Sequence, residues 1–246
     1  MEADDQVDNS IYNEYGTRWY TAYDDPIALL RAENKVKFPW ILKILKEHSI
    51  PKAQVLDVGC GGGFLSNELA KNGYKVTGVD LSQDSLHVAK IYDVTQSVKY
   101  EVADAYELPY PDGSFDVITA MDFLEHVERP GEIIKEFARV LKPGGVFFFH
   151  TFNRNVLSWL IAIKLVEWFV KNTPKNMHII RLFIKPREIK KYCRDAGIWV
   201  YEIKGLRPVL SSFTFRMLIT GIISKKMRFK IIDSTLISYI GYGKKL

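Results

Sequence analysis

Two carboxylates and an imidazole stand close together near the middle of the chain, at Asp122, Glu125 and His126. If a helix begins here, these side chains occupy positions i, i+3 and i+4 and share one face. Such a set can hold a divalent ion such as Mg²⁺ or Zn²⁺, because carboxylate oxygens and imidazole nitrogens ligate these metals. It can equally remove a proton from a substrate, with His126 as the base and Glu125 orienting it. The third interpretation is structural, with both groups hydrogen-bonded to neighbouring loops.

A glycine cluster is the second chemical feature. Residues 55–63 read Val-Leu-Asp-Val-Gly-Cys-Gly-Gly-Gly, an apolar strand that leads into glycines and then into a helix. Glycines let the backbone turn sharply and approach a ligand more closely than a Cβ allows. A dinucleotide fingerprint, G-x-G-x-x-G, needs a glycine where this chain has Phe64, so the spacing disfavours a dinucleotide. We predict a ligand cradle here, and the alternative is an ordinary tight turn.

Asp80 gives this cradle a partner, because it ends the apolar run 76–80 and lies 21 residues after Gly59. A carboxylate at the end of a second strand can accept hydrogen bonds from both hydroxyls of a ribose. The alternative is an acid that only favours the N-terminus of the following helix. Taken together, the two features indicate a ligand that carries a ribose.

The elements that must position these residues follow from the alternation of strand and helix patterns after Val55. Strands are predicted at 55–58, 76–80, 98–102, 115–121, 146–150, 198–204 and 234–242. Such alternation is typical of a mostly parallel sheet with helices on both faces, in which ligands bind beyond the carboxyl ends of the strands. Four successive strand ends carry Gly59, Asp80, Asp104 and Met121, so one ligand can contact all four.

The composition restricts the class of protein. The chain has 246 residues, of which 47% are hydrophobic and 26% charged, and this indicates a globular protein with a full core. Its net charge of +5 comes without a nucleic-acid recognition motif, so we expect no nucleic-acid partner. Cys60 and Cys193 form no disulfide framework or metal spacing, which predicts a reducing, cytoplasmic compartment. The acidic start, residues 1–5, argues against a signal or transit peptide.

The run from Asp57 to Gly63 resembles motif I of class I S-adenosylmethionine-dependent methyltransferases, in which an acid lies within the strand and the glycines face the methionine part of the cofactor. The resemblance implies a Rossmann-like, doubly wound α/β fold with a seven-stranded, mostly parallel sheet and a reversed terminal hairpin. It also implies S-adenosylmethionine as the cofactor, with the adenine amino group at Asp104 and Ala105. The expected cofactor-binding residues are Lys37, Asp57, Gly59, Gly61, Asp80, Leu81, Asp104, Ala105 and Met121.

Several further segments resemble one family, the O-methyltransferases of ubiquinone biosynthesis, which methylate polyprenylated catechols and a demethylubiquinol intermediate. These segments are Leu124-Glu125-His126-Val127, residues 151–155 with Ser158-Trp159-Leu160, and Phe183-Ile184-Lys185-Pro186. The resemblance implies methylation of a phenolic hydroxyl on a small-molecule quinone precursor. In some members it also implies a metal held by an acid, an acid and a histidine, which match Asp122, Glu125 and His126.

The chain departs from that family at two positions. The family usually has glutamate where this chain has Asp122, and it has arginine, thought to meet the cofactor's carboxylate, where this chain has Lys37. The acidic region 104–111 looks more like that of general small-molecule methyltransferases. The alternatives are therefore C-methylation of a quinone, O-methylation of a natural product, or a non-catalytic subunit that binds cofactor or lipid.

We expect a single domain over 1–246, with an N-terminal helical cap at 1–50. Two apolar and basic inserts are expected at 152–192, the first insert, and at 207–232, the second insert. The cap carries a stripe of aromatic residues, which either docks on the core or forms a lid over the ligand. The stripe consists of Tyr12, Tyr15, Trp19, Tyr20 and Tyr23.

The first insert contains an apolar run, 159–171, with tryptophans beside lysines. The run is too short to span a bilayer and is interrupted by Lys164 and Glu167. Tryptophans next to lysines suit a helix that lies in the membrane interface. We therefore expect peripheral membrane contact through 155–191, where an isoprenoid substrate can be drawn up. A lid over the substrate pocket and a dimer surface are the alternatives.

Overall fold

One sheet of eight strands, in the order β3-β2-β1-β4-β5-β8-β6-β7, is the centre of the computed structural model, which describes residues 7–246. The strands are β1 (Gln54–Val58), β2 (Lys75–Asp80), β3 (Lys99–Val102), β4 (Phe115–Met121), β5 (Leu141–Phe152), β6 (Ile198–Pro208), β7 (Phe229–Ile232) and β8 (Ser238–Lys245). Strands β1 to β5 pair in parallel, and β8 lies antiparallel between β5 and β6. Residues 1–5, on which the prediction about targeting rests, lie outside the described residues.

The doubly wound α/β fold is confirmed, but the described sheet contains one strand more than predicted. The additional strand is β7, which lies within the second insert and pairs antiparallel with the end of β6, from Gly205 to Pro208. The prediction ended β6 at Lys204, whereas β6 continues to Pro208. This longer strand offers unpaired backbone groups at the sheet edge, and β7 satisfies them.

Helices cover both faces of the sheet. They are α1 (Arg18–Thr21), α2 (Ile27–Glu47), α3 (Phe64–Lys71), α4 (Gln83–Tyr92), α5 (Pro130–Val140), α6 (Val156–Ser158), α7 (Leu165–Phe169), α8 (Pro186–Asp195) and α9 (Ser212–Thr220). On one face α2 and α3 bury Ile41, Leu45 and Leu69 against the strands. On the other face α5 and α8 bury residues such as Phe137 and Ile189.

The turn at Pro143-Gly144-Gly145 lies within β5 and not at the end of a helix. Helix α5 ends at Val140, and Leu141 already pairs with Phe115 of β4. The ladder then resumes with Val117 opposite Val146, so the intervening residues form an irregularity within β5. The turn residues therefore serve a bulge in the strand, which is a common use of glycine.

The first insert begins with a helical run over 156–169. Residues Trp159–Lys164 form a π-helical segment between α6 and α7. The backbone N–H of Ser158 donates to Oδ1 of Asn155 at 3.0 Å, and this hydrogen bond caps the run. Within residues 7–246, no helix combines the length and the apolar character that crossing a bilayer requires.

Candidate functional site

The glycine loop after β1 folds over the end of β2. The backbone N–H groups of Gly59 and Cys60 donate to the carbonyl of Val79, at 2.9 and 3.1 Å. Gly59 has a positive φ of 66°, and a Cβ at this position would lie 2.3 Å from a ring carbon of Phe123. Only glycine fits both the conformation and the space at this position.

A cavity of about 380 Å³ opens beside this loop, at the carboxyl ends of β1 to β4. Its wall includes every residue that the sequence assigned to the cofactor: Lys37, Asp57, Gly59, Gly61, Asp80, Leu81, Asp104, Ala105 and Met121. The side chains of Asp122 and His126 also line it, whereas Glu125 is fully buried behind the wall. The structure thus brings the cofactor candidates and His126 to one cavity.

The acids at the ends of β2 and β3 are held by their own loops. One carboxylate oxygen of Asp80 accepts the N–H of Gly61 and the other accepts the N–H of Ser82, both at 2.9 Å. Asp104 accepts the N–H of Tyr106 at 2.9 Å. Because a carboxylate has about four acceptor sites, both acids retain capacity for a ligand's hydroxyl or amino groups. Burial raises the pKa of Asp80.

The carboxylate of Asp57 binds side chains of neighbouring elements rather than the backbone of its own loop. Its two carboxylate oxygens accept the hydroxyls of Ser66 on α3 and Thr119 on β4, each at 2.6 Å. Burial raises its pKa to about 6, although both hydrogen bonds oppose the shift. Asp57 therefore joins β1 to the neighbouring strand and to the helix that follows the glycine loop, and so fixes the position of the loop.

Lys37 lies in a buried cluster of charges rather than alone at the cavity wall. Its ammonium is 2.7 and 2.6 Å from the two carboxylate oxygens of Asp122 and 2.6 Å from a carboxylate oxygen of Glu33. The Nδ1 atom of His150 also contacts the Asp122 carboxylate. Burial alone would raise the pKa of Asp122, but Lys37 and His150 hold that pKa well below its usual range.

Contacts at both ring nitrogens hold His150 in place. The Asp122 carboxylate accepts from Nδ1–H, and Nε2 lies 3.0 Å from the hydroxyl of Ser238 on β8. That hydroxyl also lies 3.0 Å from the carbonyl of Leu206 on β6. His150 therefore joins the Lys37–Asp122 cluster to strands β6 and β8.

The helix expected to begin at Asp122 does not form. Asp122 has a positive φ of 55°, and only Leu124–His126 make a single 3₁₀ turn. The N–H of Asp122 donates to the carbonyl of His150 at 3.2 Å, so this residue extends the strand pairing of β4 and β5 instead. The prediction that Asp122, Glu125 and His126 share one helical face is wrong, because the ion pair with Lys37 draws Asp122 to another cluster.

The structure instead brings His178, from the first insert, to Glu125 and His126. Potential ligand atoms of these three side chains lie within 4.8 Å of one another. In the part of the chain described, neither carboxylate oxygen of Glu125 nor Nδ1 of His126 has a hydrogen-bond partner. The other ring nitrogen of His126, Nε2, lies 3.5 Å from the hydroxyl of Tyr12. Sequence reasoning missed His178, since no spacing rule connects it with residues 125–126.

Burial dominates the pKa values of this cluster. Burial and then the charge of Asp122 raise the pKa of Glu125 to about 8. Burial and the neighbouring His178 lower the pKa of His126 to about 3, and burial lowers that of His178 to about 4. Both imidazoles are therefore neutral at physiological pH, which makes His126 a weak proton acceptor by itself and leaves its nitrogens available to a metal.

The aromatic stripe of the cap both docks on the core and borders the cavity. Tyr15 and Trp19 are buried together with Ile27 and Val88, as a docked face requires. The indole of Trp19 also packs on the glycine loop, because a Cβ at Gly61 would lie 2.7 Å from it. Tyr12 and Trp19 line the cavity, so the docked stripe also forms part of the cavity wall.

The amino-acid sequence matches one described family and several named proteins. A family described as "Methyltransferase domain" matches residues 56–149. A protein from Thiobacillus denitrificans named "Ubiquinone biosynthesis O-methyltransferase" is 37% identical over 208 residues, which cover 82% of this chain and 87% of that protein. A protein of the same name from Burkholderia pseudomallei is 40% identical over 177 residues, 70% of this chain and 75% of its own length.

Solved structures support the fold. The PH0226 protein from Pyrococcus horikoshii superposes with a TM-score of 0.65 at 20% identity and covers 97% of this chain and 100% of its own. A Thermotoga maritima structure, described as a SAM-dependent methyltransferase and possible histamine N-methyltransferase, gives 0.61 at 21% identity, with 95% of each chain covered. At these identities the similarity concerns architecture alone.

Proposed function

This chain belongs to the ubiquinone biosynthesis O-methyltransferase family, and from that membership we propose that it methylates a phenolic hydroxyl of a polyprenylated catechol or demethylubiquinol precursor. It is an S-adenosylmethionine-dependent O-methyltransferase. The observation that carries the proposal is the shared cavity, in which the residues assigned to the cofactor and His126 line one wall. A donor and an acceptor bound there would meet within a single enclosed site.

The cofactor contacts we propose follow the cavity wall. The backbone at Gly59 and Gly61, which lines the cavity, would face the methionine part of S-adenosylmethionine, and Asp80 would accept its ribose hydroxyls. Asp104 and Ala105 would meet the adenine, with Leu81 and Met121 packing beside the nucleoside. Lys37 would act on the cofactor's carboxylate mainly as a nearby positive charge, because Glu33 and Asp122 already bind its ammonium.

The reaction needs little from the protein beyond alignment and proton removal. The phenolic oxygen attacks the sulfonium methyl carbon in line, the carbon–sulfur bond breaks, and its electron pair remains on the sulfur of the departing thioether. Alignment of donor and acceptor contributes up to about 7–11 kcal/mol to lowering the barrier. Tyr12 and Trp19 at the cavity wall would exclude water.

His126 is the catalytic residue we propose, since it lines the cavity, and Glu125 supports it from behind. The unpartnered oxygens of the buried Glu125 and the unpartnered Nδ1 of His126 fit a divalent cation such as Mg²⁺ or Zn²⁺. When bound, such an ion would supply Lewis-acid polarisation of the phenol. Without it, the neutral imidazole of His126 would accept the phenol's proton as a weak base, because burial lowers its pKa to about 3, and Glu125 would orient the ring.

We also propose peripheral contact of this cytoplasmic enzyme with the membrane through 155–191. Apolar side chains are exposed on the helical run of the first insert, including Val156 and Trp168, and on α9 of the second insert, including Phe215 and Ile219. Helices α7 and α9 are neighbours, so the two inserts contribute to one surface. Exposed tryptophan beside lysine suits the interface of a membrane with anionic lipids.

Co-sedimentation with vesicles of anionic phospholipid tests the membrane proposal. Trp168→Ser should weaken vesicle binding at low salt severalfold, because it removes an exposed indole from the helical run. Trp199→Ser is the matched control: Trp199 is 55% exposed on β6, and Trp168 is 62% exposed. Absence of binding by the wild type at low salt, or an equal effect of both substitutions, would reject membrane contact and leave a lid or a dimer surface.

The substrate proposal is tested by methyl transfer from labelled S-adenosylmethionine to a panel of acceptors. The panel contains a short-tail catechol acid, a demethylubiquinol analogue and the matching monophenol. It also contains a quinone without a hydroxyl, which can be methylated only at a ring carbon, and a set of unrelated phenols. We expect kcat/KM for the first two acceptors to exceed that for the others at least tenfold. Preference for an unrelated phenol or for carbon would favour another small-molecule methyltransferase, and cofactor binding without any transfer would favour a non-catalytic subunit.

A further inference from the structure

We infer that His178 completes a divalent-cation site with Glu125 and His126, and that Asp122 lies outside the ligand set. This assignment rests on the proposed function, because it concerns the cation that the same site would use. It differs from the sequence prediction in one ligand, because His178 takes the place of Asp122. It also makes the first insert, which carries His178, part of the site.

The three side chains form a suitable donor set. Glu125 and His126 lie on the turn after β4, and His178 lies in the insert, with potential ligand atoms within 4.8 Å of one another. One carboxylate and two imidazoles are a common set for catalytic zinc and related ions. Such sites leave further positions on the metal to water or substrate. Since His126 lines the cavity, an ion held here would be next to the acceptor.

Unpartnered polar atoms converge on this point. Glu125 is 0% exposed and both of its carboxylate oxygens lack a hydrogen-bond partner among residues 7–246, as does Nδ1 of His126. A buried polar atom without a partner costs about 1–3 kcal/mol and is rare in folded proteins. A cation would satisfy these atoms together, because each can donate an electron pair to it.

The surroundings of the two histidines are those of oriented ligands. The hydroxyl of Tyr12 lies 3.5 Å from Nε2 of His126, so Nδ1 is the nitrogen available to a metal. The ring of His178 lies against Phe152 and Phe183, with centroids 5.3 and 6.1 Å apart. Packing of this kind restricts the orientation of the His178 ring.

Asp122 is unsuited to the same role. The ammonium of Lys37 lies 2.7 and 2.6 Å from its two oxygens, and Nδ1 of His150 is hydrogen-bonded to one of them. A second candidate group, formed by Glu33, Asp122 and His150, also has ligand atoms within 4.8 Å. The Lys37 ammonium is bound to both carboxylates of this group, so a divalent ion would have to displace a cation that is already there.

Cobalt binding to the chelator-treated full chain tests the assignment, because Co²⁺ substitutes for Mg²⁺ or Zn²⁺ and gives visible absorption bands. The wild type should bind one equivalent. His178→Gln should weaken the affinity at least tenfold and alter the bands. The matched control is His87→Gln, since His87 is exposed on α4 and should leave both measurements unchanged. Asp122→Asn should bind Co²⁺ within about threefold of the wild type.

His178→Cys provides a direct signature of ligation. A thiolate bound to Co²⁺ adds an intense charge-transfer band in the near ultraviolet, which a structural role for residue 178 would not produce. Circular dichroism of each variant confirms that it folds. The inference is overturned if the wild type binds no stoichiometric Co²⁺, if His178→Gln binds as the wild type does, if the thiolate band is absent, or if Asp122→Asn alone abolishes binding.

The same samples separate this inference from the proposed function. Methyl transfer to the catechol panel, measured alongside, reports on the reaction itself. Wild-type cobalt spectra in His178→Gln with methyl transfer intact would contradict only the ligand assignment. Loss of the wild-type spectrum in His178→Gln, with no methyl transfer by the wild type to any catechol, would support the site and contradict the function.

Discussion

The ammonium of Lys37 lies 2.7 and 2.6 Å from the two carboxylate oxygens of Asp122 and so joins the helical cap to the end of β4. These are the two positions at which the chain departs from the family pattern, with lysine for arginine and aspartate for glutamate. The departures are therefore in direct contact. A lysine and an aspartate therefore form an ion pair at the two positions where the resemblance implies an arginine and a glutamate.

Removal of one partner of this pair should destabilise the fold. Lys37→Met leaves the buried Asp122 and Glu33 carboxylates without their ammonium partner, and loss of one partner from a buried pair costs about 3–5 kcal/mol. Urea unfolding measures the effect. Lys43→Met on the same helix is the control, because its exposed pair with Glu47, at 3.7 Å, should contribute less than about 1 kcal/mol. Equal effects of the two substitutions would contradict the account of the cluster.

The glycine loop should tolerate no side chain at its first position. Gly59→Ala places a Cβ 2.3 Å from Phe123 in a positive-φ conformation, so we expect at least tenfold weaker binding of S-adenosylmethionine by calorimetry. Gly73→Ala is the control, since Gly73 has a positive φ of 85° but no heavy atom within 4 Å of its Cβ position. It should cost about 1 kcal/mol of stability and leave cofactor affinity unchanged. Unaltered affinity in Gly59→Ala would show that the cofactor binds elsewhere.

His126→Ala should separate turnover from cofactor binding. His126 lines the cavity beyond the cofactor residues, so its removal should lower kcat about 10²–10⁴-fold. The dissociation constant of S-adenosylmethionine should change less than about threefold. Rapid-quench kinetics with saturating acceptor, beside calorimetry of the cofactor, gives both numbers. Unchanged turnover would remove His126 from the chemistry.

Acid should destabilise the metal-free protein through His178. Burial lowers the pKa of His178 from 6.5 to about 4. Between these two pH values the imidazole is protonated in the unfolded chain but neutral in the folded protein. Stability is therefore lost as pH falls from 6.5 and the loss levels off near pH 4, at up to about 3 kcal/mol. Urea unfolding across this range, with a chelator present, should show a shallower loss in His178→Gln. Parallel curves for the two proteins would contradict the burial of a neutral imidazole.

The cofactor-binding residues at the strand ends could be predicted from the sequence, because the patterns that mark them are local. Apolar runs and glycines at 55–63 and 76–80 predict where strands end, and parallel strands bring their carboxyl ends to one edge. Asp104 and Met121 follow from the same rule. Each of these residues borders the cavity since the topology alone brings strand ends together.

The two clusters of ionisable side chains, around Asp122 and around His178, could not be predicted from the sequence, because they depend on contacts between distant segments. Lys37 and Asp122 are 85 residues apart, and His178 comes from the first insert. Residues 122–126 are compatible with a helix by composition, yet pairing with Lys37 and His150 holds Asp122 at a positive φ. Strand β7 likewise forms only because β6 is long enough to pair with it. Tertiary contacts therefore decided the details on which the chemistry depends.

Transfer of a deuterated methyl group tests the central claim most directly. The wild type is incubated with S-adenosylmethionine labelled at the methyl group and a short-tail demethylubiquinol analogue, and the product is analysed by mass spectrometry and NMR. We predict one labelled methyl group per product molecule, attached to a phenolic oxygen, and loss of this product in Gly59→Ala at a limiting cofactor concentration. A label on ring carbon, or no labelled product although calorimetry shows that the cofactor is bound, would contradict the assignment as an O-methyltransferase of quinone precursors.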